Sequence, residues 1–210
     1  MKIRLLTTAI LALFLFSLNG SAQTTVTRTL SSFDKIAISG GYDKVILKEG
    51  SAESVSLEVS GTDPDNIITE VKGNTLEVRM KKGSWSNFKA KITITYKSIR
   101  ELATSGSSDI VAESVIKGDE FELASSGSGD FTGTFDVRDL DIAISGSSDM
   151  TLKGRADEQE IAISGSGDVN ASGLKGQKAE VAISGSGDVK LSVSGPVKTA
   201  VSGSGSVTNN

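Results

Sequence analysis

The feature that most constrains this fold is a short sequence motif, Ser-Gly-Ser-x-Asp followed by an apolar residue, which occurs six times in the second half of the chain. The last copy has Ser206 in place of the aspartate. The copies begin at Ser105, Ser126, Ser145, Ser164, Ser184 and Ser202, so that their spacings are 21, 19, 19, 20 and 18 residues. Self-similarity at a nearly constant interval is typical of solenoid proteins, in which each repeat forms one structural unit.

Equivalent positions of the repeats form columns of similar side chains. The positions one and three residues before the first serine, and five and seven after it, are mainly apolar, as in Ile142, Ile144, Met150 and Leu152. This period of two predicts at least two short strands per repeat, each with one buried face. Stacked repeats would pair their backbones and bury these columns, so the sequence predicts an all-β parallel β-helix with coils of about 19 residues over 101–207.

Turn geometry explains the glycine and the polar residues of this motif. The second position is always glycine, which predicts a positive φ at a corner of each coil. Serine hydroxyls and aspartate carboxylates can accept hydrogen bonds from neighbouring backbone N–H groups in tight turns. Six stacked turns at a strand spacing of about 4.8 Å would form a polar ridge roughly 25 Å long.

The two ends of the array are expected to differ from its middle. Residues 23–100 carry strand patterns with weaker periodicity, which predicts broader coils that also cap the amino-terminal end, with Ser39-Gly40 as a degenerate first turn. Residues 208–210 are a tail of three residues after the last core position, Val207. An uncovered last coil would present free strand edges, so end-to-end association of two chains through this coil is expected.

Residues 1–22 have the pattern of a secretory signal peptide. Lys2 and Arg4 precede an apolar run of about 14 residues, too short to span a bilayer, and small residues lead to a predicted cleavage after Ala22. The mature chain would carry 20 basic and 26 acidic residues, which argues against a nucleic-acid partner. We therefore expect an exported protein of the periplasm, outer-membrane surface or extracellular space, with no transmembrane segment. It has no cysteine, so disulfides cannot stabilise it.

A column of aspartates is the sharpest polar feature of the predicted ridge. Its members are Asp109, Asp130, Asp149, Asp168 and Asp188. Carboxylate oxygens are the ligands that Ca²⁺ prefers, but one carboxylate per coil is too few, and calcium-binding nonapeptide repeats recur every nine residues rather than about 19. A structural role in the turns is favoured, weak cation binding by the ridge stays an alternative, and no cofactor is expected.

Few residues of this chain suit catalysis. It contains no histidine and no cysteine, so the usual acid–base and nucleophilic groups are missing. The main alternative is a carbohydrate-active β-helix enzyme, a polysaccharide lyase or hydrolase, in which Arg138 or Arg155 could act as the base. Neither arginine has an acidic cluster in its strand register, and the outward positions are expected to be mostly Ala, Ser, Thr and Lys. A non-enzymatic protein is therefore expected.

The single tryptophan lies in a polar loop, together with a phenylalanine. An exposed Trp85 or Phe88 could stack on a sugar ring or anchor a protein partner. The alternative is that both side chains fold back and cover the end of the β-helix.

The chain resembles the auto-transporter adhesin family whose domain is called head GIN, found in secreted proteins of Bacteroidetes. The resemblance lies in Phe33-x-x-Ile36-x-Ile38-Ser39-Gly40, in Ile92-Thr-Ile-Thr-Tyr96 and in the Ser-Gly-Ser-Gly-Asp turns, and it spans residues 30–207. It implies a right-handed helix and an adhesive role, and it brings no catalytic or binding residues. The family pattern continues a little further after the last turn than this chain does.

These observations predict a secreted, non-catalytic β-solenoid of the cell envelope that acts as an adhesin or as a binding or scaffold protein. The expected partner is a glycan or an envelope protein. A carbohydrate-active enzyme and a purely structural envelope protein are the alternatives. Three or more carboxylates in an outward groove would favour the enzyme, whereas a flat face of serines and threonines would favour binding or scaffolding.

Overall fold

The fold is given by a computed structural model that describes residues 23–83, 85 and 87–210. The predicted signal peptide lies outside the described residues. No helix among those residues is long and apolar enough to cross a membrane.

The described chain is built almost entirely of strands. One short 3₁₀ helix, Pro64–Asn66, interrupts them. The strands are β1 (Thr24–Thr29), β2 (Lys35–Gly40), β3 (Lys44–Glu49), β4 (Ser54–Ser60), β5 (Ile67–Lys72), β6 (Thr75–Met80), β7 (Lys89–Tyr96), β8 (Glu101–Gly106), β9 (Ile110–Ala112), β10 (Ile116–Gly127), β11 (Phe131–Gly146), β12 (Met150–Gly165), β13 (Val169–Gly176), β14 (Lys178–Gly185), β15 (Val189–Val193), β16 (Val197–Gly203) and β17 (Val207–Asn209).

From β8 onward the chain forms parallel coils whose register is the sequence repeat. Strand β10 pairs in parallel with β8 and β11, and β11 continues the stack onto β12. The turn glycines lie opposite one another, so that Gly127 pairs with both Gly106 and Gly146. The predicted all-β parallel β-helix is therefore confirmed.

The amino-terminal half follows a different path from the predicted series of broad coils. Strands β2 and β3 form a coil between two others, because they pair in parallel with β8 and β9 on one side and with β6 and β7 on the other. The chain thus forms the second coil of the stack first, with β2 and β3. It then forms the first coil, with β6 and β7, and continues to the third coil at β8 and β9. The predicted degenerate turn is confirmed, since Gly40 pairs with Gly106.

Beyond the first coil the strands are antiparallel and do not form coils. Strand β5 pairs with β6 through a hairpin whose two linking residues include Gly73, at φ 59°. Strand β4 pairs with β7, and β1 pairs with β4. The β5–β6 pair is antiparallel because a turn of two residues reverses the chain directly, whereas a parallel pair needs a long connection.

The inward side chains of successive coils form one continuous apolar core. The position three residues before each turn serine is buried in Leu102, Leu123, Ile142, Ile161 and Val181. Phe131 and Phe135 pack with ring centroids 6.0 Å apart, and Phe135 and Phe121 with centroids 5.5 Å apart. Because every second side chain faces this core, the residues between them form regular outward columns.

Candidate functional site

The turn glycines form a column that depends on the absence of a side chain. Its members are Gly40, Gly106, Gly127, Gly146, Gly165, Gly185 and Gly203, and their φ angles lie between 124° and 154°. The predicted positive φ is therefore confirmed. A Cβ on any of the six later glycines would lie 2.0–2.2 Å from the carbonyl oxygen of the glycine one coil earlier. That oxygen accepts the N–H of the next turn, as from Ser147 to Gly127 at 2.9 Å.

The aspartates of the ridge form a second hydrogen-bonded column, which links neighbouring coils. In each case a backbone N–H donates to Oδ1 of the aspartate one coil earlier. The donor–acceptor pairs are Asp130 to Asp109 (3.2 Å), Asp149 to Asp130 (3.1 Å), Asp168 to Asp149 (3.0 Å), Asp188 to Asp168 (2.8 Å) and Ser206 to Asp188 (2.9 Å). The sequence predicted that each carboxylate would accept a hydrogen bond within its own turn, whereas the observed hydrogen bonds join neighbouring coils.

This geometry gives each aspartate a role in joining the coils. Among the described residues, no three or more acidic side chains are grouped so that they could hold a metal ion. Weak cation binding along the ridge stays a prediction.

A long groove runs parallel to the helix axis over one face of the stack. Its volume is about 1210 Å³, and it crosses eight strands, from β6 through β2 and β8 to β16. On seven of these strands its floor consists of two outward columns of small side chains, one of alanine and one of serine, whereas on β6 the equivalent positions are Glu77 and Arg79. The two columns are Ala37, Ala103, Ala124, Ala143, Ala162, Ala182 and Ala200, beside Ser39, Ser105, Ser126, Ser145, Ser164, Ser184 and Ser202. Eight strands at about 4.8 Å give a length of about 34 Å.

Two columns of acidic side chains border the alanine side of the groove. The nearer column, two residues before the alanines, reads Lys35, Glu101, Glu122, Asp141, Glu160, Glu180 and Lys198 along the stack. The farther column reads Glu120, Asp139, Glu158 and Lys178. The farther column and the nearer column from Asp141 onward line a second cavity of about 290 Å³.

The expectation that outward positions carry few acidic residues is therefore wrong for this edge. The signal was present in the sequence, because the position four residues before each turn serine is acidic in five successive repeats. Alignment of the outward positions of the repeats, in addition to the inward ones, reveals this acidic column.

Ion pairs compensate the ends of the nearer column, and two members of the farther column are also paired, Asp139 with Arg138 and Glu158 with Lys178. Lys35 forms an ion pair with Glu101, and Lys198 lies 3.7 Å from Glu180. Between these pairs lies Asp141, whose pKa is raised by burial and by the charges of Glu160 and the other nearby carboxylates.

The two arginines considered as lyase bases are both held by aspartates. Arg138 lies 3.1 Å from Asp139, which follows it in the chain and belongs to the farther acidic column. Arg155 donates two hydrogen bonds of 2.9 Å to Asp157. These aspartates raise the pKa of each arginine, which keeps the guanidinium protonated and opposes a role as a base.

The two aromatic residues of the polar loop lie at the amino-terminal end of the stack. The indole N–H of Trp85 donates to the Lys81 carbonyl at 2.7 Å, and its side chain is half-buried. Phe88 is half-buried and packs against the core. Both placements agree with a covering role, and ligand contact by these side chains stays a prediction.

Fold and surface together define a β-solenoid with a long, regular groove bordered by carboxylates. The chain belongs to the family described as "Putative auto-transporter adhesin, head GIN domain", whose model matches residues 32–210. This confirms the resemblance found in the sequence.

Solved structures show the same fold. A putative adhesin from Bacteroides fragilis NCTC 9343 is 22% identical with a TM-score of 0.77, and the match covers 91% of this chain and 98% of that one. A putative lipid binding protein from Parabacteroides distasonis ATCC 8503 is 23% identical, with a TM-score of 0.66 and the same coverages. A putative adhesin from Parabacteroides merdae ATCC 43184 is 19% identical, with a TM-score of 0.65 and coverages of 91% and 97%. No curated protein matches the chain.

Proposed function

We propose that this protein is an exported, non-catalytic binding protein of the cell envelope, of the adhesin type, and that the groove over the alanine and serine columns holds an extended ligand. The observation that carries the proposal is the groove itself, whose floor of alanine and serine repeats on seven successive strands from β2 to β16. Membership of an adhesin family supports the proposal.

The regularity of the groove suits a ligand that is itself a polymer. Each coil presents the same alanine methyl and serine hydroxyl at one strand spacing, so that a repeating ligand could make the same weak contacts several times. Contacts made by one continuous ligand add without new losses of translational freedom, which is the basis of avidity. Small side chains also allow the ligand to approach the sheet closely.

Among extended ligands, a glycan fits this floor best. The faces of sugar rings are apolar and can lie over alanine methyl groups, while sugar hydroxyls can bond with the serine column and the acidic border. Because the acidic border would repel an anionic polymer, we expect the glycan to be neutral or to carry amino groups. An envelope protein is the other partner class.

A glycan-array screen of the purified protein, with protease accessibility on intact cells, tests this proposal. In the variant Ala162→Arg a long side chain fills the middle of the groove, and we expect glycan affinity to fall at least tenfold with an unchanged melting temperature. The matched control is Thr132→Arg, an exposed position on another strand segment, which should bind normally. Absence of glycan binding together with absence of surface cleavage would refute the adhesin assignment.

A carbohydrate-active enzyme is the second candidate, because the acidic border meets the condition of several carboxylates in an outward groove. Glycoside hydrolysis uses a pair of carboxyl groups, one of them with a raised pKa, and burial raises the pKa of Asp141, which lies opposite Glu160 of the next coil. Release of reducing ends from array-positive glycans, lost in Asp141→Asn, would favour the enzyme. Binding without release favours the adhesin.

The groove floor is also apolar enough for an acyl chain, and one solved relative is described as a lipid binding protein. A fatty-acid binding assay, with Ala162→Arg as the variant in which the groove is blocked, separates this outcome from glycan binding.

A further inference from the structure

The last coil, formed by β16 and β17, leaves inward-facing side chains uncovered. Val201 is 44% exposed, whereas Ile183, at the same position one coil earlier, is 2% exposed. Thr199 is exposed where Val181 is buried, and Val207 is half-buried where Val189 is buried. Within the described residues, the core of the β-helix is therefore open at this end.

The backbone of the last coil is also paired on one side only. Among the described strands, β16 pairs with β14 and β17 pairs with β15, both in parallel. The opposite edge of β16 presents the N–H and C=O groups of a seven-residue strand, and such an edge is a template for pairing with another chain.

The last turn is built differently from the turns that receive a further coil. Every earlier ridge aspartate from Asp109 to Asp188 accepts an N–H from the following coil. Ser206 has no carboxylate, and its hydroxyl instead donates to Oδ1 of Asp188 at 2.7 Å. Another parallel coil stacked here would find a hydroxyl oxygen in place of the carboxylate that accepts at every earlier junction, so this end is a poorer template for a head-to-tail copy.

The other end of the stack does not suit a head-to-tail contact either. There the outermost strands are β1 and β5, which run antiparallel to their neighbours and present no row of turn glycines. The partner that fits the open coil is therefore one that pairs antiparallel with β16.

We propose that two copies of this chain associate tail to tail, with β16 pairing antiparallel to β16 of the second copy about a two-fold axis at Ala200. This is the register that pairs all seven residues from Val197 to Gly203. It places Thr199 opposite Val201, so that the uncovered inward residues face one another. It also places Lys198 opposite Ser202, which avoids a contact between like charges.

An isologous interface of this kind closes after two copies. It joins two β-helices into one longer body, in which the alanine columns of the two grooves meet at the axis. The inference does not depend on what the grooves bind.

Cysteine cross-linking tests this arrangement directly, because the natural chain contains no cysteine. Directly opposed residues of an antiparallel pair have Cα atoms about 4.5–5.5 Å apart, within the range of a disulfide. Ala200→Cys is therefore expected to give a covalent dimer on mild oxidation. The matched control is Ala182→Cys, one coil earlier in the same outward column and also exposed, which should stay uncross-linked.

Sedimentation equilibrium over a range of concentrations gives the second measurement. The purified protein is expected to reach twice the monomer mass and no more. Ala200→Lys opposes two like charges at the axis and should weaken dimerisation at least tenfold, whereas Ala182→Lys should not change it. A monomer at all concentrations, masses that grow beyond the dimer, or equal cross-linking of the two cysteine variants would each overturn the proposal.

Discussion

Replacing a turn glycine by alanine should be strongly destabilising, and the structure separates the two causes. In Gly146→Ala the new Cβ would lie 2.2 Å from the carbonyl oxygen of Gly127, and the residue would also have to keep a φ of 140°. A positive φ costs an L-residue about 1–2 kcal/mol. Alanine lowers the conformational entropy of the unfolded chain relative to glycine, which offsets about 0.4–1 kcal/mol of this cost.

The steric contact adds a larger cost, because the coils must separate locally. Moving them apart lengthens the bonds from Ser147 to Gly127 (2.9 Å) and from Ser166 to Gly146 (2.8 Å). Each hydrogen bond contributes about 0.5–1.5 kcal/mol, and further bonds along the same strands would be weakened. We therefore expect Gly146→Ala to lower the free energy of unfolding by about 3–5 kcal/mol, which is about 6–20 °C in melting temperature for a chain of this size.

Two other glycines serve as matched controls. Gly73 has a φ of 59°, and no atom lies within 4 Å of the position that a Cβ would take, so Gly73→Ala isolates the conformational cost and should lose about 1 kcal/mol or less. Gly118 has no positive φ and its nearest atom would be 3.7 Å away, so Gly118→Ala should be neutral or slightly stabilising.

Urea unfolding followed by far-UV circular dichroism measures all three variants. The expected order of midpoints is Gly118→Ala, then Gly73→Ala, then Gly146→Ala at the lowest. If Gly146→Ala unfolded at the same urea concentration as Gly73→Ala, the close approach of the coils would contribute nothing, and the explanation of the repeated glycine by coil stacking would be wrong.

Two further predictions concern the carboxylates. Asp149→Ala removes the acceptor of the Asp168 N–H and should cost about 0.5–1.5 kcal/mol by urea unfolding, whereas Asp149→Asn keeps an acceptor oxygen and should be nearly neutral. The pKa of Asp141 is raised in the folded state, so its ionisation destabilises the fold above the unfolded pKa of about 3.9. Asp141→Asn should therefore stabilise the protein at pH 7, with the gain vanishing in melting curves below about pH 4, while Glu180→Gln, which loses an ion pair with Lys198, should give no gain.

The regular coils could be predicted because the same short pattern of apolar and polar residues recurs in each repeat. A column such as Ile142, Ile161 and Val181 fixes both which residues face inward and which residue lies above which. The positive φ at Gly146 follows from the same columns. The short distance to the carbonyl of Gly127 does not, since it depends on how closely two coils approach.

The amino-terminal path could not be predicted from columns. Strands β6 and β7 follow β3 in sequence but lie on the far side of the β2–β3 coil, and nothing in their residues orders the layers. The antiparallel pairing of β4 with β7 is likewise set by which edges remain free after the coils have formed. The groove depends on how outward columns combine into a surface, and on side chains at Ala143 and Ser145 too small to fill it.

The interleaved layers at the amino terminus have a consequence for the order of folding. The contact between Tyr42 and Ser108 spans 66 residues, whereas bonds between later coils, such as Asp149 to Asp168, span 19. Loop-closure entropy makes the first contact costlier by about 1 kcal/mol, and several strands must assemble before it is repaid. We therefore predict that the amino-terminal layers, which cannot close until β8 is available, assemble more slowly than the regular coils, so that the two parts of the rod form at different rates.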